Sequence, residues 1–426
     1  MTSIKHDPTG EPAGLRASDA ATRVDEHRLG RLIDDLATFG ARADGGVDRQ
    51  ALTPEDFRSR RFLIDLARSH GATVSRDSIG NLFFRREGAD PDALAVVTGS
   101  HADSQPTGGR LDGAYGVCAG LEVLAALKDS GVVHRRPIEA VVWTNEEGCR
   151  FPPGCMGASA FTQTELLDSF LKTPDARGVT VEEELTAVEP DFADVPLREL
   201  GVPFEAFVEA HIEQGPIMEA ANIPVGVVRS IQGTRWFEVS VDGTASHAGS
   251  TPKDMRNDAF RTATEIATGI YGIFQDGDER LRMTIGHVEV EPGSVNVIPE
   301  RAVLSVDLRH PEEQTLSSVE AAIRSIVSNH PTAAVRRVME MKPTPFDEEI
   351  QRTISDSAAE LGIEAMGIDS GAFHDSLHLA RHCPTGMIFV PSRGGLSHNP
   401  REATDLADLV AGTKVLVATL VNLANS

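Results

Sequence analysis

The chain is poor in cysteine, and the few it has form no recognisable framework. Cys118, Cys149, Cys155 and Cys383 are the four in 426 residues. They show neither the paired spacing of a zinc finger nor the density of a disulfide scaffold, which fits a reducing compartment and buried free thiols. A basic block is also missing. The 64 acidic residues outnumber 40 Lys and Arg, giving a formal net charge of −24, and such a balance argues against nucleic acid or an anionic membrane as partner. The N-terminus lacks a charged-then-apolar leader pattern, and no apolar run approaches the ~20 residues that span a bilayer. The expected location is cytoplasmic. The Gly-rich turn from Thr107 to Gly116 comes without the Lys-Ser/Thr of a phosphate-binding loop, and no Gly-x-Ser-x-Gly elbow is found, so a nucleotide-binding or serine-hydrolase α/β protein is a weak reading. No fixed-period repeat and no long low-complexity linker interrupts the chain.

What remains is globular: 40% hydrophobic and 24% charged residues, in a chain long enough for two domains with substantial interiors. Its organising stretch runs from Ala95 to Gly116. The apolar run Ala95 to Thr98 reads as a buried strand that delivers His101 and Asp103 just past its end. Asp112 follows a Gly- and Pro-rich turn, and the near-helical spacing of Val117, Leu121, Leu124, Ala125 and Leu127 places it where a helix begins. The pattern recurs. Pro137 to Asn145 ends in Glu146-Glu147, Phe204 to Ala210 ends at His211, and Gly386 to Val390 leads to His398. Four buried-type strands thus end in polar metal-ligand types, at the edge where open α/β sheets place ligands.

Residues 1–24 lack periodicity and are expected to form a disordered tail. Helices are expected from Val24 to Gly40 and from Thr53 to His70, the second with Pro54 in its first turn and Gly71 after its end. From residue 230 to 340 the character changes to strict alternation, as in Trp236 to Asp242, Met283 to Val290 and Val303 to Leu308, separated by helical periodicity at Asp258 to Ile273 and Thr315 to Val327. The expected architecture is α/β: a central, mostly parallel sheet in a catalytic domain built from residues 25–229 and 341–426, interrupted by a smaller α+β domain over 230–340.

His101, Asp112, Glu147, His211 and His398 form a candidate ligand set. Imidazoles and carboxylates without a thiolate suit zinc, manganese, cobalt or nickel. Five side chains around two ions, with one carboxylate shared, leave a position for water and an arrangement that clamps a tetrahedral intermediate. Each residue taken singly reads more simply as a cap or a satisfied core group; the set as a whole favours metal. Two adjacent acids at a strand end point different ways, so that one can bind metal while the other serves as general base.

These residues resemble a known family. His101-x-Asp103, Gly109-Arg-Leu-Asp112-Gly, Asn145-Glu-Glu-Gly148 with Arg150-Phe151, Glu209-Ala-His-Ile-Glu-Gln-Gly215, His247-Ala-Gly-x-Thr-Pro252 and Ser397-His-Asn-Pro400 are similar to the N-carbamoyl-L-amino-acid hydrolases, with which allantoate amidohydrolases and metal-dependent β-ureidopropionases share the pattern. The resemblance spans about residues 26–422. It implies a dinuclear amidohydrolase in which Asp112 bridges two divalent ions, His101 and His211 complete one site, Glu147 and His398 complete the other, and Glu146 is the base. Asp103 would orient His101. His247 would stabilise an oxyanion, Asn296 and Arg309 would hold a substrate carboxylate, and Gln214, His374 and the backbone of Gly394 and Gly395 would complete the pocket. The implied substrate is a small carboxylate-bearing ureido or N-acyl compound. For an N-carbamoyl amino acid the products are the free amino acid, CO2 and ammonia. The inserted domain would act as lid and dimerisation surface of a homodimer. Read from the residues alone, Arg309 is equally a surface ion pair and His247 equally a turn residue. Phe373, Lys253 and Thr234 depart from the family's usual residues and bear on substrate identity, whereas the metal core is unaltered. A third class, a binding protein that kept the fold and lost the reaction, is disfavoured by the intact Glu146 and the complete ligand set.

Overall fold

The central strands read as apolar runs because both of their faces are covered. In the computed structural model, which describes residues 16–275 and 278–426, four of them lie side by side and parallel: Ile138–Trp143, Val96–His101, Ala206–Ile212 and Thr385–Val390. Antiparallel strands flank them, Leu82–Arg86 and Thr73–Arg76 on one side and Val225–Ile231 and Thr344–Pro345 on the other. Val96, Val142, Val208 and Ile388 point into a core shared with the helices Ala114–Ser130 and Leu406–Asn425. Val97, Val141, Trp143 and Phe207 point the other way, into a second cluster with Phe161 and Leu379. Side chains of a strand alternate between faces, so two covered faces require a continuous apolar sequence. All four parallel strands deliver their carboxyl ends to one edge.

The chain divides into two compact units, one comprising residues up to Arg229, Phe346–Ile368 and Phe373–Ser426, the other Ser230–Pro345 and Asp369–Ala372. The second unit is an antiparallel sheet in the order Val288–Glu291, Arg301–His310, Gly233–Asp242, Ala333–Met341, with Arg282–Thr284 also paired to Arg301–His310. Its core joins Phe237, Val239, Val241, Leu304 and Val306 to Ile266 and Ile323 of the helices Ala259–Gln275 and Glu313–Ser328. Trp236, Glu238 and Ser240 alternate with the buried set and stay outside it. This is the alternation visible in the sequence, produced by a sheet with one covered face.

Two expectations need correction. The disordered tail was expected to extend to residue 24, but Ala17–Ala21 is a helix with Ala20, Ala21 and Val24 buried in the main core. Small apolar residues spaced three and four apart need little side-chain ordering to pack, which composition alone does not reveal; residues 1–15 lie outside the described residues. The second concerns apolar length. Leu406–Asn425 is 20 residues long with a mean hydropathy of 1.6, enough by length and composition to cross a membrane. It is largely buried, with Val415, Leu416, Val417 and Leu420 fully enclosed by the core, and a core helix surrounded by protein is apolar around most of its circumference.

Candidate metal centre

The sheet edge gathers the expected ligands through short, strained connections. His101 ends its strand opposite Trp143, and His211 lies opposite Phe389. Asn145, Gln214 and His398 all adopt positive φ, between 52° and 59°. Such conformations cost non-glycine residues about 1–3 kcal/mol each and tend to concentrate at functional sites. Gly113, at φ 63°, caps the helix Ala114–Ser130 directly under the His101 ring, and a Cβ there would lie 2.3 Å from His101 Nε2.

Asp112 is the centre of the arrangement. Its Oδ1 lies 3.2 Å from His211 Nε2 and 4.0 Å from His101 Nε2. Its Oδ2 lies 3.1 Å from His398 Nε2, which is itself 3.5 Å from Glu147 Oε2. Donor atoms of His101, Asp112 and His211, and separately of Asp112, Glu147 and His398, fall within 4.8 Å of one another. All five expected ligands therefore come together as two clusters sharing one carboxylate. Glu146 Oε2 stands 3.5 Å from His101 Nε2. His101 and His211 each hold Nδ1 against a backbone carbonyl, that of Asp103 at 2.9 Å and that of Ile212 at 2.9 Å, which turns Nε2 toward Asp112.

The charge distribution fits cations. Burial works against a charged His211, yet the hydrogen bond and charge of Asp112 raise it to about 9. The Asp112 hydrogen bond likewise raises His398 to about 9. Glu146 is held well above the usual carboxylate range by burial and by the charges of Asp375, Glu147 and Asp112. Asp375 is fully buried, and neither of its carboxyl oxygens has a hydrogen-bond partner among the described residues. The raised proton affinities of His211 and His398 answer an excess of buried negative charge that divalent ions would neutralise. A donor set of imidazoles and carboxylates suits such ions.

Other expected residues behave in more particular ways. Asp103 meets His101 through its carbonyl, while its carboxylate accepts from the backbone N–H groups of Glu146 and Glu147, each at 3.2 Å. It therefore links the first ligand strand to the paired acids. Gln214 Nε2 donates to Asp112 Oδ2 at 3.0 Å and to Ser397 Oγ at 3.1 Å. His374 is buried edge-on to His211, with ring centroids 4.5 Å apart. The N–H groups of Gly394 and Gly395 are already taken, by Glu219 Oε2 at 2.7 Å and by the Ser392 carbonyl at 2.9 Å, so they shape a turn with both φ values at 64°. The Phe373 side chain is 37% exposed beside His374.

His247, Asn296 and Arg309 belong to the second unit. His247 Nδ1 accepts from the N–H groups of Gly249 and Ser250 at 3.0 and 3.2 Å, which leaves Nε2 as the protonated nitrogen of the neutral ring. Its strand Ser246–His247 pairs with Val297–Ile298, and Ala248 N donates to the Asn296 carbonyl at 2.9 Å. Arg309 directs Nε and Nη2 to Asp307, at 3.2 and 2.9 Å, and Nη1 to the Gly371 carbonyl at 3.0 Å.

Sequence reasoning missed several supporting groups. Glu402, 4% exposed, accepts from the N–H groups of Leu111 and Asp112. Burial pushes it up to about 7, with the Asp112 charge adding to the effect. Ser397 Oγ lies between Asp112 Oδ2 and Glu402 Oε2, at 3.1 and 3.0 Å. Cys155 Sγ donates to Glu146 Oε1 at 3.4 Å. An acid four residues after a loop histidine carries no periodic signal; its place two residues after the Ser397-His-Asn-Pro400 motif was the one clue.

An edge of parallel strands lined by imidazoles and buried acids has the donors of a hydrolase site able to hold cations. The chain belongs to peptidase family M20/M25/M40, whose sequence profile matches residues 97–422. It is 36% identical over 414 residues to an N-carbamoyl-L-amino acid amidohydrolase from Geobacillus stearothermophilus, covering 94% of this chain and 99% of the relative. It is 33% identical over 398 residues to an allantoate amidohydrolase from Bacillus subtilis, covering 92% and 96%. The crystal structure of a hydantoinase/carbamoylase family amidase from Burkholderia multivorans superposes with a TM-score of 0.89 at 40% identity, covering 95% of this chain and 98% of that one. The amidohydrolase resemblance carried by the motifs is thereby confirmed, as is the α/β fold expected with it.

Proposed function

We propose that the protein is a dinuclear metal-dependent amidohydrolase that cleaves the C–N bond of a small N-carbamoyl-L-amino acid, releasing the amino acid, CO2 and ammonia. The observation that carries this reading is Asp112, whose two oxygens face separate ligand clusters. His101 and His211 would hold one divalent ion, Glu147 and His398 the other, with Asp112 shared; Zn2+, Mn2+, Co2+ and Ni2+ suit these donors. When bound, such ions polarise a carbonyl and lower the pKa of water. Glu146 takes the proton of the attacking water on Oε2, the oxygen turned toward His101, and passes it to the departing nitrogen. Its raised proton affinity suits both halves of that transfer. Asp103 fixes the main chain of Glu146, so base and ligand strand move together.

For substrate recognition, His247 presents an Nε2–H donor suited to a developing oxyanion. Arg309 and Asn296 are assigned to the carboxylate; for Arg309 this requires release from Asp307, an exchange of one carboxylate for another. His374 and Gln214 are assigned to the ureido group, and the second unit to lid and dimerisation roles in a homodimer. Allantoate is the alternative substrate, motivated by the relative from Bacillus subtilis. The deciding experiment is a panel of N-carbamoyl-L-amino acids, N-carbamoyl-β-alanine, allantoate and N-acetyl amino acids on protein reconstituted with Mn2+. Turnover confined to ureido substrates supports the proposal; no turnover of any ureido compound refutes it.

A further inference from the structure

The loop that carries Asp112 is folded around a single buried carboxylate. Glu402 Oε1 accepts from Leu111 N at 2.8 Å and Asp112 N at 3.0 Å. The turn before them passes so close that a Cβ on Gly109 would lie 2.1 Å from the same oxygen. The other oxygen, Oε2, lies 3.0 Å from Ser397 Oγ, and that hydroxyl is also 3.1 Å from Asp112 Oδ2. Glu402 thus touches the main chain of Asp112 directly and its side chain through one intermediary, which precedes His398 in sequence. Both of its oxygens are engaged by protein donors, so it is not placed to contact substrate.

The serine sharpens the argument. A hydroxyl has one hydrogen and can give it to only one of the two carboxylates. Gln214 Nε2 donates to Ser397 Oγ at 3.1 Å, which supplies that oxygen with a donor and leaves its own hydrogen to be directed elsewhere. Directed to Asp112, the hydrogen would compete with a cation for the Oδ2 lone pairs. Directed to Glu402, it leaves Oδ2 with the Gln214 amide donor and one lone pair free for a cation. We infer that Glu402 is a positioning residue that sets cation affinity at both clusters, by fixing the Asp112 backbone and by drawing the Ser397 hydrogen away from Asp112 Oδ2. This rests on the reading of Asp112 as the shared ligand.

The test is a titration of metal-free protein with Mn2+, following free Mn2+ by electron paramagnetic resonance, with circular dichroism confirming that each variant is folded. Groups that orient metal ligands typically contribute 10–100-fold in affinity, so Glu402→Ala is expected to weaken binding by about 10–100-fold. Glu402→Gln retains a carbonyl oxygen for Leu111 N and Asp112 N, but its amide donates to Ser397 and sends the serine hydrogen back to Asp112. A smaller loss than in Glu402→Ala, about 10-fold at the low end of that range, is expected. Ser397→Ala removes the competing hydrogen and should weaken Mn2+ binding less than Glu402→Ala. A merely structural role would lower the melting temperature of Glu402→Gln and leave the Mn2+ affinity of the folded protein unchanged; that result overturns the inference. If the wild-type chain bound no Mn2+, the shared-ligand reading would itself fail, which is a separate outcome.

Discussion

Gly113→Ala is the substitution for which the geometry gives the most definite expectation. The added methyl would sit 2.3 Å from His101 Cε1 and Nε2 and 2.4 Å from Cδ2. Non-bonded carbon contacts settle near 3.5 Å or beyond, so the imidazole must retreat by about 1.2 Å or the helix start must shift by as much. Functional ligands tolerate about 0.5 Å of displacement. The backbone at position 113, with φ 63° and ψ −46°, adds about 1–3 kcal/mol for any residue bearing a Cβ. Loss of the 2.9 Å hydrogen bond from His101 to the Asp103 carbonyl adds about 1 kcal/mol. The expected result is a folded protein destabilised by about 2–4 kcal/mol in urea. It should bind one Mn2+ ion at the Asp112, Glu147 and His398 cluster and lose the other, with kcat reduced by roughly 10²-fold, the scale of a 1 Å misplacement. Metal stoichiometry by elemental analysis and kcat on the best substrate of the panel are the readouts. Two ions bound with normal turnover would refute the reasoning.

Four further outcomes follow. The purified chain should carry two divalent ions, lose activity to EDTA and regain it with Mn2+; full metal occupancy in His101→Ala, Asp112→Ala and His398→Ala alike would remove the ligand assignment. Glu146→Gln should keep both ions while kcat falls by about 10²-fold or more, whereas Glu147→Gln should lose metal; near-normal kcat in Glu146→Gln puts the base elsewhere. Asp77 is fully buried, and burial pushes it up to about 7 from 3.8 despite hydrogen bonds from Asn81 and Ile79. The stability contributed by its protonated form is therefore complete below pH 3.8 and is lost as pH rises through about 7. Relative to Asp77→Asn, the wild type should lose up to about 1.4 kcal/mol per pH unit across that window and then level off, as read by urea unfolding between pH 5 and 8. A pH-independent difference refutes the shift. If the second unit completes the site of a partner subunit, reassorted dimers of Glu146→Gln and His247→Ala should recover about one quarter of wild-type activity, and no recovery despite verified exchange assigns each site to one chain.

The candidate ligand set was legible because imidazoles and carboxylates at the ends of parallel strands interrupt apolar runs, and His101, Glu147 and His211 each mark such an interruption. The second unit was legible from alternation, as Phe237, Val239 and Val241 show. What was hidden depends on main-chain direction or on contacts distant in sequence. Asp103 works through its carbonyl on one side and its carboxylate on the other, a division no side-chain pattern encodes. Glu402 acts on residues about 290 positions away. Arg309 pairs with Asp307, two residues earlier on its own strand, which agrees with the ordinary reading of that arginine. The helix Ala17–Ala21 escaped notice because alanine-rich segments acquire a face only from the surface they meet.

The place of strand Thr385–Val390 in the sheet bears on how the protein is made. It lies between Ala206–Ile212 and Val225–Ile231, yet it leaves the ribosome more than 150 residues after both of them. Until then those two strands expose unpaired edges, and such edges recruit other chains. The second unit, nearly continuous in sequence from Ser230 to Pro345, can close its core before strand Thr385–Val390 is made. A nascent chain thus passes through a stage with a finished second unit and an open central sheet. A stop codon placed between Pro345 and Thr385 should therefore yield aggregates containing a protease-resistant core derived from the second unit, rather than soluble protein that is merely shorter.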